Sequence, residues 1–128
     1  MKIGIDARLV HYQRAGIGQY TLRLLESLRQ AGQAPLVLQS GGWPAGFTPK
    51  GYQAVHLLGS GRLPALLTWG QVQIGWQARR RSPALVHDPT GAFPLAMCSA
   101  KRVVTICDAI PFVYPQVSTA FDRLVALR

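Results

Sequence analysis

The sequence predicts an α/β protein in which helices cover both faces of a parallel, Rossmann-like sheet. Short apolar segments alternate along the chain with segments of helical periodicity, which is the pattern of βαβ units. These apolar segments are near-continuous rather than alternating, as in strands that are buried on both faces of a parallel sheet. With 128 residues, of which 48% are apolar, the chain fits one domain, and we expect that domain to span residues 1–128.

The first half of the chain predicts a βαβ unit followed by a third strand. Strand one is expected over residues 3–7, and an amphipathic helix is expected from about residue 19 to residue 31, where Gly32 provides the stop. Strand two follows over residues 35–39. After a loop rich in glycine and proline, strand three is expected over residues 53–57.

The second half predicts two further strands and more helix. A helix is expected from Pro64, a good first-turn residue, to about residue 80. Its apolar residues fall on more than one face, so we expect it to be buried on several sides or to await a partner. Strand four is expected over residues 84–87, a short helical turn over 94–99, strand five over 102–106, and a last helix from about residue 118.

Three of the five acidic residues follow predicted strands. Asp6, Asp88 and Asp108 come at or just after the ends of strands one, four and five. Ligands of open parallel sheets bind outside the carboxyl ends of the strands, so we expect a site at this edge. The alternative for each aspartate is a role in capping or in a turn.

A glycine-bearing turn, formed by Gly16, Ile17 and Gly18, opens the first helix. Backbone N–H groups at such a helix start can bind a phosphate or another anion, although a tight turn without a ligand is the alternative. The turn does not match the sequence fingerprint of dinucleotide-binding proteins. Nine residues separate Asp6 from Gly16, and Thr21 occupies the position of the third glycine. A NAD or FAD site is therefore not expected.

Strand four runs into the segment His87-Asp88-Pro89-Thr90-Gly91, which carries an imidazole, a carboxylate and a hydroxyl. The proline keeps this segment out of helical geometry. A lone histidine is more often structural, but one at a strand end beside two polar groups is a candidate for ligand binding.

Taken together, these segments resemble the N-terminal domain of a glycosyltransferase family four enzyme of the GT-B fold. Their order and spacing agree over nearly all of the chain. The matching segments are Ile3-Gly4-Ile5-Asp6-Ala7-Arg8, Gly16-Ile17-Gly18-Gln19-Tyr20-Thr21 with Leu24-Leu25, Val86-His87-Asp88-Pro89-Thr90-Gly91 with Pro94-Leu95, and Val103-Val104-Thr105-Ile106 with Asp108, Pro111 and Tyr114-Pro115.

The resemblance implies transfer of a sugar from a nucleotide-sugar donor to an acceptor, usually with retention, in a cleft between two Rossmann-like domains. It implies that Gly16, Ile17 and Gly18 lie against the donor diphosphate. It further implies that the sugar and the acceptor are contacted by a set of polar residues, namely Arg8, Tyr20, His87, Asp88 and Thr90.

Two more residues are implied to be catalytic, Asp108 and Cys107. Cys107 stands where the family often has a histidine, and a thiol is a much weaker hydrogen-bonding group than an imidazole. The nucleotide sugar is a substrate, so no cofactor is expected. Cys98 and Cys107 have no close-spaced partners, so neither a disulfide framework nor a metal site is expected.

The resemblance also implies a donor-side C-terminal domain, and we expect this chain to be the acceptor-side half and to be weakly active or inactive by itself. One alternative is a non-catalytic module that pairs with a separate half or subunit. A less favoured alternative is a domain that binds polyanions or nucleic acid, suggested by the net charge of +9 from 14 basic and five acidic residues.

The one cluster of basic residues is Arg79-Arg80-Arg81. One interpretation is a solvent-exposed helix C-terminus, where cations interact favourably with the helix dipole. The other is a contact with an anionic membrane surface. No apolar run reaches the roughly 18 residues that a membrane span needs, and the first residues do not form a signal peptide. We therefore expect a cytoplasmic protein, with peripheral membrane contact as the second interpretation of the cluster.

Overall fold

The structure is a computed structural model that describes residues 1–10, 16–47, 50–57, 69–89, 95, 97–107, 113, 114 and 116. Its elements are β1 (Ile3–Asp6), α1 (Ile17–Gln30), β2 (Leu36–Gln39), β3 (Gln53–His56), α2 (Trp69–Arg81), β4 (Leu85–Asp88) and β5 (Lys101–Val104). The five predicted strands and the first helix are confirmed, with ends that differ by at most two residues. The predicted start of the second helix, residues 94 and 96 of the predicted turn over 94–99, and the predicted last helix lie outside the described residues. Within that turn, the Cys98 amide donates to the Leu95 carbonyl at 3.0 Å.

All five strands belong to one parallel sheet with the spatial order β3-β2-β1-β4-β5. The first strand is therefore central, and the chain winds outward from it in one direction to β3 and then in the other to β5. In such a doubly wound sheet the loops diverge between β1 and β4, which leaves a crevice outside their carboxyl ends. The predicted α/β, Rossmann-like fold is confirmed.

The two helices cover opposite faces of the sheet. On one face Leu25 of α1 packs with Ile5 and Val37. On the other face Ile74 of α2 packs with Leu38 and its neighbours, and both clusters are buried. Successive residues of a strand point to opposite faces, so a strand covered on both sides is buried at every position, as β2 is, and three of its four residues are apolar.

Helix α2 packs very closely against the segment that precedes β5. Gly75 is buried, and a Cβ atom at this position would lie 2.6 Å from the carbonyl oxygen of Met97 and 3.0 Å from its Cβ atom. No side chain fits there unless the backbone moves, so the glycine sets the distance between the helix and this segment.

The edge strand β5 differs from the others, because all four of its residues are exposed. Among them are Val103 and Val104, with 43% and 47% of their surface accessible. In the described part of the chain, β5 pairs only with β4 and lies at the edge of the sheet. Its β-branched residues favour a strand, but they are not buried like those of the central strands.

Candidate functional site

The candidate site lies at the carboxyl edge of the sheet, around the crevice beside β1 and β4. Three parts of the chain border it: the turn that starts α1, the end of β4, and the segment that follows β5. The resemblance assigned site residues to each of these three parts. The structure brings Tyr20, His87 and the segment after β5 into contact.

The end of β1 is fixed by a buried ion pair between Asp6 and Arg8. The Arg8 Nη2 donates to Asp6 Oδ2 at 2.6 Å, the Nε donates to Oδ1 at 2.9 Å, and the Arg8 backbone amide also donates to Oδ1 at 3.2 Å. The Arg8 side chain is 0% exposed. In this arrangement Arg8 presents no surface to a ligand, so its predicted contact with a sugar or acceptor stays a prediction, and what the geometry supports is a rigid turn after β1.

No side chain of the described residues caps the N-terminus of α1. Gly16 occupies the cap position with φ of 58°, a left-handed conformation that glycine tolerates best, and its carbonyl accepts from the Tyr20 amide at 2.9 Å. Among the described residues, no atom lies within 4 Å of where a Gly16 Cβ would be, and the first turn of α1 carries no acidic residue. The positive end of the helix is thus not neutralised by a carboxylate of its own first turn.

A hydrogen-bonded row of three side chains crosses the crevice. The Thr105 hydroxyl lies 2.8 Å from Nε2 of His87 at the end of β4, and 3.4 Å from the hydroxyl of Tyr20 in the first turns of α1. The contact with Tyr20 is the longer and weaker of the two. A threonine hydroxyl can donate once and accept twice, so it can link both partners in either direction.

The imidazole of His87 is half-buried, and this burial lowers its pKa below the ordinary value of 6.5. Removing a group from water penalises its charged form, so the ring is neutral at neutral pH. A neutral imidazole has one donor and one acceptor nitrogen, and the bond of Nε2 to Thr105 therefore assigns the opposite role to Nδ1.

Thr105 is the functional candidate that sequence reasoning missed. The sequence predicts a strand over residues 102–106, in which Thr105 is one of several β-branched residues. In the structure β5 ends at Val104, so Thr105 is the first residue beyond the carboxyl edge. Its amide still donates to the Asp88 carbonyl at 2.9 Å, which holds the hydroxyl beside His87.

The remaining predicted residues fall into three groups. Asp88 is fully buried at the end of β4, and Cys107 is exposed with its thiol donating to the Pro89 carbonyl at 3.7 Å. Ile17 and the buried Gly18 lie in the first turn of α1, as expected. Thr90 and Asp108 lie outside the described residues.

Three further polar side chains near this edge are not indicated by the sequence pattern. On the far side of β1, Gln39 Nε2 lies 2.8 Å from His56 Nε2, at the paired ends of β2 and β3. Near the start of α2, the amide group of Gln71 is buried and has no hydrogen-bond partner in the described part of the chain. Buried amides are usually paired, so Gln71 is an unusual polar group at this end of the helix.

The fold and the site define a Rossmann-like α/β protein with a polar crevice at its topological switch point. In the described ranges, no three histidine, cysteine, aspartate or glutamate side chains are grouped so that they could hold a metal ion. No helix among the described residues is both long and apolar enough to cross a lipid bilayer. Compared with models of known protein families and with curated proteins, the chain gives no match.

Proposed function

We propose that this chain is the acceptor-side half of a GT-B glycosyltransferase of the family four type. It helps to transfer a sugar from a nucleotide-sugar donor to an acceptor, in a cleft along the carboxyl edge of its sheet. The observation that carries the proposal is the row Tyr20–Thr105–His87, which lies next to an uncapped helix N-terminus at the switch point.

The start of α1 serves the donor diphosphate in this proposal. Glycosyl transfer leaves negative charge on the departing phosphate, and backbone N–H groups at a helix end stabilise such charge without having to reorganise. Gly16 supports this role, because no described residue lies within 4 Å of its Cβ position and no carboxylate of the first turn competes for the site.

The row of side chains serves the sugar and the acceptor. Sugars are recognised by groups that both donate and accept hydrogen bonds, and the row offers two hydroxyls and a neutral imidazole. Of the other residues that the resemblance implies, Thr90 extends this set, and Asp108 and Cys107 act next to the transferred sugar. Asp88 is fully buried and supports the end of β4 behind His87. The donor-side half supplies the nucleotide pocket.

The direct test is nuclear magnetic resonance of the ¹⁵N-labelled chain titrated with UDP, GDP, ADP and dTDP, and then with the matching nucleotide sugars. We expect saturable shifts at the amides of Gly16, Ile17 and Gly18 for at least one diphosphate, and additional shifts near His87 and Thr105 when the sugar is present. No saturation with any of them up to about 1 mM, which corresponds to about −4 kcal/mol, would contradict the proposal.

A matched pair of variants locates the binding. Gly16 and Gly32 flank the two ends of α1, both have positive φ, and no atom of the described residues lies within 4 Å of either Cβ position. Gly16→Ala should weaken diphosphate binding at least about tenfold, whereas Gly32→Ala should cost similar stability and leave binding unchanged. Equal loss of binding in both variants would point to a general effect on the helix.

A further inference from the structure

Six basic side chains lie around the amino edge of the sheet, opposite the candidate site. They precede β1, end α2 and begin β5, and we name them the amino-edge basic surface. The six are Lys2, Arg79, Arg80, Arg81, Lys101 and Arg102.

The fold holds these residues together. The Lys2 ammonium donates to the Arg81 carbonyl at 3.0 Å, which joins the start of β1 to the end of α2. The Lys2 carbonyl in turn accepts from the Ala84 amide just before β4, and Lys101 pairs with Leu85 in the sheet. The surface is therefore continuous from β1 across β4 to β5.

The surface carries no compensating acid in the described part of the chain. Asp6 and Asp88 lie at the opposite edge, and Glu26 on α1 is bound to Arg29 at 2.5 Å. The hydrogen bond from Arg29 lowers the pKa of Glu26, which keeps this local pair neutral overall. Among the described residues, none of the six cations is ion-paired with a carboxylate. The half charge at the end of one helix is far too small to balance six cations.

An apolar strip on α2 adjoins this surface. Val72 and Trp76 are 40% and 53% exposed, and they are spaced by one helical turn on the face opposite the buried Ile74 and Ala78. Arg80 continues the strip by another turn, with its guanidinium carbon 5.4 Å from the centre of the Trp76 ring. The strip thus passes from apolar through aromatic to cationic along one helix.

We propose that the exposed face of α2 and the amino-edge basic surface dock this protein on an anionic lipid surface. Cations attract the headgroups, and an exposed tryptophan next to them is the residue type that settles at the boundary between headgroups and acyl chains. A nucleic acid would use the cations but offers no partner for Val72. The proposal is independent of the function proposed above.

The test is co-sedimentation of the full chain with vesicles of phosphatidylcholine, with and without about 30% phosphatidylserine. We expect binding only to the anionic vesicles, and release as salt rises from about 50 to 300 mM. Brominated lipid should quench part of the tryptophan fluorescence, and Trp76→Phe should remove that part while the chain still binds. Absence of binding to anionic vesicles at low salt would overturn the proposal.

Two double variants with the same change in net charge separate a local surface from overall charge. Arg79→Glu with Arg80→Glu should lower vesicle binding at least about tenfold. Arg23→Glu with Lys50→Glu changes two exposed cations outside the surface and should lower binding by less than about threefold. Equal losses of vesicle binding in the two double variants would overturn the proposal. It would also be overturned if the chain bound a single-stranded oligothymidylate more tightly than anionic vesicles and if only the first double variant abolished that binding. The circular dichroism spectrum of each variant confirms that it is folded.

Discussion

The Thr105 hydroxyl lies 2.8 Å from Nε2 of His87, a residue 18 positions earlier in the sequence. This bond joins the carboxyl ends of the neighbouring strands β4 and β5. It also determines how the imidazole is presented at the crevice. Since the Tyr20 hydroxyl contacts the same threonine, one side chain ties α1, β4 and the segment after β5 together.

Replacing Thr105 should change the titration of His87. Thr105→Val keeps the shape of the side chain but removes the partner of the half-buried Nε2, which makes the charged ring harder to solvate. We expect a further lowering of the His87 pKa and a loss of about 1–3 kcal/mol of unfolding free energy. Thr105→Ser should behave as the original chain. An imidazole NMR titration measures the pKa, and an unchanged value in Thr105→Val would show that the bond does not form in solution.

Burial of His87 should make the stability of the fold depend on pH. The pKa of His87 is lowered by burial, so near pH 6 the unfolded chain binds more protons than the folded chain does. The unfolding free energy should therefore be highest above pH 6.5, the unfolded value, and should fall as the pH drops through the lower folded value. Urea denaturation across this window measures the slope. His87→Gln should flatten it, and the same slope in that variant would assign the effect to another group.

Breaking the Asp6–Arg8 pair should be costly. Asp6→Asn or Arg8→Met leaves one buried charge without its partner, which should lower the unfolding free energy by about 3–5 kcal/mol. The double variant Asp6→Asn with Arg8→Met leaves no charge and should recover a large part of that loss. Urea denaturation of the four proteins gives the coupling energy. Single variants that unfold like the original chain would show that the pair contributes little.

Adding one methyl group at Gly75 should destabilise the protein. An alanine in an exposed helix stabilises by up to about 1 kcal/mol relative to glycine, but here the new Cβ would meet the Met97 backbone. We expect Gly75→Ala to lower the unfolding free energy by about 1–3 kcal/mol. Gly42→Ala, at a glycine with ordinary φ and open space around it, should change it by less than about 0.5 kcal/mol. An unchanged unfolding free energy in Gly75→Ala would mean that the backbone at Met97 can move to accommodate the methyl group at little cost.

The sequence predicted the strands well because burial on two faces leaves a local signature. Residues 36–39 are all buried, and their near-continuous apolar run already indicated a parallel strand. The same reasoning placed strand five one residue late at its start and two residues late at its end. An edge strand and a central strand share β-branched residues, and only the sheet order distinguishes them.

The site was less accessible to sequence reasoning, because its geometry depends on contacts between distant segments. Arg8 and its carboxylate partner are two residues apart, yet their enclosure depends on the packing of the whole carboxyl edge. Thr105 gained its importance only from its position next to His87 and Tyr20. On α2, periodicity indicated apolar residues on several faces, but it did not indicate that Val72 and Trp76 would remain exposed.

The central position of β1 has a consequence for how the chain folds during synthesis. Gly4 pairs with Leu36 on one side and with Val86 on the other, so β1 is made about 80 residues before its second partner, β4. At about 5–20 residues per second, the ribosome leaves one edge of β1 without its partner for several seconds. The crevice next to that edge therefore forms late, after most of the described chain has been translated, and slow steps in β4 delay the site more than slow steps in β2.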